Sequence, residues 1–229
     1  MKKWVLGDIH GGLKALEQCL ERANVNTEED RIIILGDVCD GWPEVKECVD
    51  RILTFKNCEY ILGNHDTWTL DWMKYGEAQP LWLSQGGEAT RQSYQKNGIP
   101  DSHIRFFERA KIYLEENNDL FVHGGVWKGS RADQNQRNDM LWDRTLASYS
   151  KNCMKFKKSN IAKPYNRIFI GHTTTTFFGF DTPIIGGRVY NLDTGGGWEG
   201  RLSIMEISTE EWWQSDIVAE LYPECKGRR

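Results

Sequence analysis

Ile32-Ile33-Ile34-Leu35-Gly36-Asp37-Val38-Cys39-Asp40-Gly41 passes within one short stretch from an unbroken apolar run to a turn loaded with carboxylates. A run of that length, rich in β-branched side chains and stopped by glycine, reads as a buried strand. The same form recurs along the chain. Trp4-Val5-Leu6 precedes Gly7-Asp8-Ile9-His10-Gly11, and Tyr60-Ile61-Leu62 precedes Gly63-Asn64-His65-Asp66. Leu120-Phe121-Val122 precedes His123-Gly124-Gly125, and Ile168-Phe169-Ile170 precedes Gly171-His172-Thr173. Between the first two runs, Leu13, Leu16, Leu20 and Ala23 recur at three- and four-residue steps, the spacing of an amphipathic helix. Val45, Val49, Ile52 and Leu53 predict a second helix, with Pro43 in its first turn. Strands alternating with helices predict an α/β fold with at least one largely parallel region.

After Asp181 the pattern changes. Gly186-Gly187 between Ile184-Ile185 and Val189-Tyr190 predicts a hairpin, and 201–207 and 211–214 predict two further strands. No repeat or linker-like stretch divides the chain, so residues 1–229 read as one domain. The charge sum is 29 − 33 = −4, which excludes a generally basic nucleic-acid coat. No apolar run approaches the roughly 20 residues that a membrane span needs. Met1-Lys2-Lys3 followed by so short an apolar run is not a secretory leader. The six scattered cysteines, without a C-x-x-C pair, are therefore expected to be reduced thiols in a cytoplasmic protein.

The chemistry lies in the histidines. Of the five, His10, His65, His123 and His172 closely follow predicted strands, while His103 falls in a polar helical stretch and reads as a surface residue. Residues just beyond the carboxyl ends of strands in an α/β sheet converge on one crevice. Filling that crevice with Asp8, Asp37, Asn64 and four imidazoles has no apolar-core rationale, because unpaired buried carboxylates are costly. Divalent metal is the natural compensation. A mixed oxygen and nitrogen set without clustered thiolates suits Mn, Fe, Zn or Ni better than Ca or a structural four-cysteine zinc site. One shared aspartate can bridge two ions about 3.5–4 Å apart, the spacing used in phosphoryl displacement.

This ordered series resembles the calcineurin-like metallophosphoesterases, and within them the phosphoprotein phosphatases, whose pattern is G-D-x-H-G, G-D-x-V-D-R-G, G-N-H-E, H-G-G or H-A, and a late histidine. The late Gly171-His172-Thr173 and the stretch Trp82-Leu83-Ser84-Gln85-Gly86-Gly87 are similar to the bacterial, phage lambda phosphatase-like branch. Asn191-Leu192-Asp193-Thr194-Gly195 extends the likeness. The resemblance implies two mixed β-sheets sandwiched between helices, with the site at the strand ends. It implies that Asp8, His10 and Asp37 hold a first metal, and that Asp37 bridges to a second, completed by Asn64, His123 and His172. Two divalent ions, manganese foremost, are the implied cofactors, with Fe, Zn or Ni as alternatives. His65 is then not a ligand but the general acid on the leaving oxygen, oriented by Asp40. An imidazole paired with a carboxylate suits that work, because the pairing fixes its tautomer.

The implied activity is phosphomonoester hydrolysis by direct attack of a metal-bridging hydroxide, with phosphoserine or phosphothreonine in proteins as substrate and phosphotyrosine as an extension. The alternative is a dinucleoside polyphosphate, another nucleotide or an RNA end. Neither a membrane nor a nucleic-acid partner is expected. Two departures from the pattern bear on substrate. Gly41 stands where the family has a phosphate-gripping arginine, and Asp66 stands for the usual glutamate, as in dinucleoside-polyphosphate hydrolases. Arg144, in Leu141-Trp142-Asp143-Arg144, resembles the branch's second phosphate-binding arginine; its other reading is an ion pair with Asp143 or Asp139. Asn64 is expected to touch a phosphate oxygen as well. A scaffold on this fold, the reading from a different class, is expected to lack ligands or acid, and all are present here.

The remaining features read as ordinary structure. Cys39 reads as a small packed thiol. Trp42, Trp127 and Trp142 read either as packing or as pocket walls. Lys151, Lys155, Lys157 and Lys158 read as a solvated face, with anion holding as the minor reading. Lys226-Gly227-Arg228-Arg229 reads as a frayed tail.

Overall fold

The computed structural model describes residues 1–154 and 160–228. Lys155, Lys157, Lys158 and Arg229 lie outside them, and Lys151 is exposed. Four of the apolar runs fall in β1 (Lys3–Leu6), β2 (Arg31–Ile34), β5 (Asp119–Val122) and β6 (Arg167–Ile170); the run Tyr60-Ile61-Leu62 overlaps β3 (Cys58–Tyr60) only at Tyr60, and Ile61 makes an isolated bridge to Lys111. The strands are completed by β4 (Tyr113–Glu116), the hairpin β7 (Ile184–Gly186) and β8 (Val189–Asn191), and β9 (Ser203–Glu206) with β10 (Trp212–Gln214). They build two five-stranded mixed sheets, ordered β10-β9-β1-β2-β3 and β4-β5-β6-β8-β7. Within the first, β1, β2 and β3 are mutually parallel; within the second, β5, β6 and β8 are.

Period-two alternation explains why these strands are apolar on both faces. Val5, Ile33, Phe121, Phe169, Tyr190 and Met205 point between the sheets and form a middle core. There Phe169 stacks on Phe121 and on Tyr190, each pair with ring centroids 4.8 Å apart. The alternate residues Trp4, Leu6, Ile32 and Ile34 face an outer helical layer through Leu16, Val45, Val49 and Phe107. On the far side, Leu120, Val122, Ile168 and Ile170 pack on Leu146 and Ala147. The result is helix, sheet, sheet, helix, with three apolar cores.

The helices are α1 (Leu13–Arg22), α2 (Val45–Ile52), α3 (Asn64–Tyr75), α4 (Pro80–Trp82), α5 (Glu88–Gln95), α6 (Asp101–Arg109), α7 (Arg137–Trp142), α8 (Thr145–Cys153) and α9 (Val218–Leu221). Pro43 precedes the cap residue Glu44 of α2 instead of standing in its first turn. Among the described residues, no helix is long and apolar enough to cross a membrane. No disulfide joins two of the six cysteines among the described residues, and Cys39 is fully buried.

Two further expectations change, and one strand escapes the apolar pattern. His103, read as a surface residue, is fully buried on α6, where it meets Tyr94 and Asp50. β4 carries no apolar run because it is an edge strand with partly exposed and charged side chains. Residues 222–228 are not frayed: Tyr222 stacks on Trp42 at 5.5 Å, and the backbone of Arg228 donates to Gly197 O.

Candidate active site

Because β1, β2 and β3 run parallel in one sheet and β5, β6 and β8 in the other, the polar residues after them meet at one end of the sandwich. Asp8 and His10 follow β1, Asp37 and Asp40 follow β2, Asn64 and His65 open α3, and His123 and His172 follow β5 and β6. All eight are buried. Four of them, His10, Asp37, Asp40 and His172, hold φ between 50° and 68°. That is the left-handed region, costly for residues with a side chain and concentrated at functional sites. Gly63 and Gly171 are required for a different reason: a Cβ at either would collide with Asp37 Oδ1 or Asp8 Oδ1 respectively.

Two overlapping groups could hold metal ions. Ligand atoms of Asp8, His10 and Asp37 lie within 4.8 Å of one another, as do those of Asp37, His123 and His172, so Asp37 belongs to both. The imidazoles are set for coordination. His10 Nδ1 donates to Cys39 O at 2.8 Å and His123 Nδ1 donates to Leu35 O at 2.7 Å. Each bond fixes the tautomer and leaves the Nε2 lone pair facing the crevice, the usual support behind a metal-bound histidine. Asn64 Oδ1 is 2.9 Å from His123 Nε2, which brings it to the second group. Asp8 Oδ1 and His172 Nε2 are buried without a hydrogen-bond partner among the described residues. Such orphaned atoms are expensive unless a cation satisfies them.

The electrostatics agree. Burial, reinforced by the Asp193 carboxylate, pushes Asp8 well above the usual carboxylate range. Burial presses Asp37 the same way, but the imidazoles of His123 and His65 outweigh it and hold Asp37 well below that range. His123 is pushed up to about 10: burial opposes its charge, and Asp37 overcomes burial. Burial also keeps His10 and His172 well below the usual histidine range. The neutral imidazoles of His10 and His172 beside crowded carboxylates leave the donor set with His123 as its one raised histidine.

His65 stands apart from the ligand groups. Its Nδ1 lies 2.6 Å from Asp40 Oδ2, the side-chain hydrogen bond that holds the ring. Asp40 is itself held: Trp82 Nε1 donates to it at 2.9 Å and Thr90 Oγ1 at 2.6 Å. The ring of His65 meets His10 and Trp68 edge-on, at 5.3 and 5.1 Å. Trp68 in turn meets Trp142, which meets His172, so an aromatic arc borders the opening. Of the tryptophans flanking the motifs, Trp142 walls the site. Trp42 is fully buried and donates to Gly196 O at 2.7 Å, while Trp127 is exposed and makes no ring contact among the described residues. Arg144 lies at the rim, where its guanidinium donates to His172 O at 3.2 Å. It makes no ion pair with Asp143; that carboxylate instead accepts from Leu146 N and Thr145 Oγ1 at the start of α8.

Three further residues shape the site: Asp66 and Asp193 stand in stretches that the resemblance covers but without a role there, and Arg228 stands in the stretch that reads as a frayed tail. Asp66 ties two loops together, with Oδ2 accepting from Asp37 N, Gly63 N and Tyr60 OH, and Oδ1 from Val38 N. Burial, with Asp37 nearby, raises its carboxyl to about 6. Asp193, two residues after β8, accepts from Gly195 N and is also raised, chiefly by burial. Arg228 reaches in from the far end of the chain, its Nη1 3.2 Å from His10 Nε2. Beyond the rim, a cleft of about 590 Å³ is lined by Thr174, Thr176, Phe177, Trp198, Glu199 and Gly200.

Comparison with known proteins agrees with this geometry. The family model described as calcineurin-like phosphoesterase matches residues 1–198. A bis(5′-nucleosyl)-tetraphosphatase PrpE (asymmetrical) of Oceanobacillus iheyensis is 24% identical, over 93% of this chain and 91% of its own. Serine/threonine-protein phosphatase 2 of Escherichia coli is 32% identical over 51% of this chain and 53% of its own. A metallophosphoesterase from Sphaerobacter thermophilus shares the fold, with a TM-score of 0.61 at 17% identity over 95% of this chain and 89% of that one.

Proposed function

The chain belongs to the calcineurin-like phosphoesterase family, and from that premise we propose that it hydrolyses phosphoesters at the strand-end crevice with two divalent cations, manganese foremost. Asp8, His10 and Asp37 would hold one cation, and Asp37, Asn64, His123 and His172 the other. The unpartnered Asp8 Oδ1 and His172 Nε2 support this assignment, as do the two lone pairs set by backbone carbonyls. When bound, such a pair of cations activates water and neutralises charge on the phosphoryl oxygens.

The observation that carries the catalytic reading is the His65–Asp40 pair beside both ligand groups. Asp40 accepts from Nδ1 and orients the ring, so the proton available for donation is the one that Nε2 carries in the imidazolium form. His65 is thus the general acid for the leaving oxygen. Trp82 and Thr90 hold the carboxylate of Asp40 in place, which in turn holds the ring. Arg144 and Asn64 bind the phosphate oxygens, Arg144 from the exposed rim. A guanidinium suits that task because its planar fork can grip two oxygens at once.

The substrate class that we favour is a dinucleoside polyphosphate. It is supported by likeness over nearly the whole length to a bis(5′-nucleosyl)-tetraphosphatase. The aromatic surface beside the crevice, with Phe177 exposed and Trp198 lining the adjacent cleft, also suits stacking of a base. A second reading, phosphoserine or phosphothreonine in a protein, has its own support. A firmly held general acid matters most for a poor alkoxide leaving group, and about half of the chain is 32% identical to part of a serine/threonine phosphatase.

Metal-depleted protein restored with Mn²⁺ separates the two when assayed in parallel on diadenosine tetraphosphate and a phosphothreonine peptide. Dominant dinucleotide cleavage by kcat/KM is the expected result. Dominant peptide turnover supports the second reading, and silence on both with two metals bound contradicts the proposal.

A further inference from the structure

Arg228 enters the crevice through a corridor without side chains. A Cβ at Gly41 or at Gly86 would lie 3.0 Å from Arg228 Cγ, and one at Gly197 would lie 3.1 Å from Cδ. Gly41 has a φ of 109°, which L residues rarely adopt, so the loop after Asp40 is shaped to present no side chain at this point. The space beside it is filled by the stem of Arg228. The guanidinium at the end of that stem stands over Trp198 at 4.7 Å and directs Nε to Gln85 O at 3.3 Å and Nη2 to Gln85 Oε1 at 3.4 Å. The carboxylates of Asp37, Asp193, Asp40 and Asp8 all act on its charge. Gly227 is at φ 61°, and a Cβ there would press on the buried ring of Trp42 at 2.8 Å. The backbone is therefore led to Arg228 by close packing.

We infer that Arg228 is a substrate-binding residue that supplies, from the distal end of the chain, the guanidinium absent at Gly41. The inference rests on the phosphoester reading of the crevice. Nη1 now lies 3.2 Å from His10 Nε2. A cation on that lone pair takes the contact over and leaves the Nη1 hydrogens to an anion on the same side. With Arg144 at the opposite rim beside His172, a phosphate group would be met by two guanidinium groups, each able to grip oxygens in a bidentate manner. Trp198 also lines the outer cleft, so the same residue that seats Arg228 borders the path of whatever the phosphate carries.

The test uses the Mn²⁺-loaded full chain and inorganic phosphate, read by titration calorimetry, beside kcat and KM on the better of the two substrates above. Arg228→Met keeps the stem and removes the fork; Arg228→Lys keeps a charge. Bound Mn²⁺ per chain and the thermal midpoint check that each variant is loaded and folded. The expected result is phosphate binding weaker by tenfold or more and a raised KM in Arg228→Met, partial recovery in Arg228→Lys, and unchanged metal content. Equal phosphate affinity in all three proteins overturns the inference, as does tighter binding in Arg228→Met, which would make the guanidinium an occluding group. A wild type that binds phosphate through Arg228 yet hydrolyses neither substrate contradicts the proposed activity and leaves this inference standing.

Discussion

His65 and His103 are both buried and both held against an aspartate, at 2.6 Å from Asp40 Oδ2 and 2.9 Å from Asp50 Oδ1. They differ in what the second ring nitrogen does. His103 Nδ1 is taken by Tyr94 OH at 2.8 Å, so both nitrogens are used inside the helical layer. His65 Nε2 has no such partner among the described residues, and its ring meets His10, a member of one of the two metal-capable groups. The aspartates differ as well. Asp40 is fully buried and pinned by Trp82 and Thr90, whereas the side chain of Asp50 is 49% exposed and shared with Lys46. A histidine–carboxylate pair is therefore not a site in itself. The free nitrogen, a pinned partner and a place at a strand end make the difference.

The comparison can be broken first at His65. His65→Asn should lower kcat by about 10²–10⁴-fold, the usual contribution of general acid catalysis, with the thermal midpoint nearly unchanged. Near-full turnover on an alkyl phosphate would remove His65 from the mechanism. His103→Leu should do the reverse and cost about 1–3 kcal/mol, because Tyr94 OH loses its buried acceptor. Urea unfolding measures the cost. A loss of activity larger than the loss of folded protein would mean that His103 reaches the site.

Thr90→Val sharpens the contrast more gently. It removes one of the donors that pin Asp40 and should lower kcat by up to about tenfold, the worth of roughly one hydrogen bond. The same variant should leave the number of bound metal ions unchanged, which metal analysis checks. The smallest effect is in pH. Burial holds His103 below the usual histidine range against the pull of Asp50. The folded state thus binds a proton less readily than the unfolded chain, whose histidine titrates near 6.5. Stability from this residue is present above that pH and declines as pH falls through it. The advantage of wild type over His103→Leu in urea should therefore shrink between pH 7.5 and 5.5. An advantage that grows instead would show that His103 is protonated in the fold.

The same contrast explains what the sequence discloses. Each candidate ligand in the crevice follows an apolar run and has a glycine close beside it, so strand, turn and chemistry are written within a few residues of one another. His103 has no such frame. Its partners Tyr94 and Asp50 come from other helices, and only their closure around it makes the position buried. Asp66 looks like a motif variation in the sequence, yet its importance lies in the backbone N–H groups of Asp37 and Val38, which reach it only after β2 and β3 pair. Arg228 is the furthest case. A basic residue among lysine, glycine and arginine is indistinguishable from a loose tail until Gly41, Gly86 and Gly197 are folded into the corridor that admits it. Short-range chemistry was legible; chemistry assembled by tertiary closure was not.

If Asp37 joins the two proposed cation sites into one centre, its loss should empty both. Metal analysis of wild type, His65→Asn and Asp37→Asn after identical Mn²⁺ loading and desalting is the test. Two ions per chain are expected in wild type and in His65→Asn, and loss of both in Asp37→Asn. Two ions retained by Asp37→Asn would contradict the shared ligand and, with it, the reading of the crevice as a dinuclear centre.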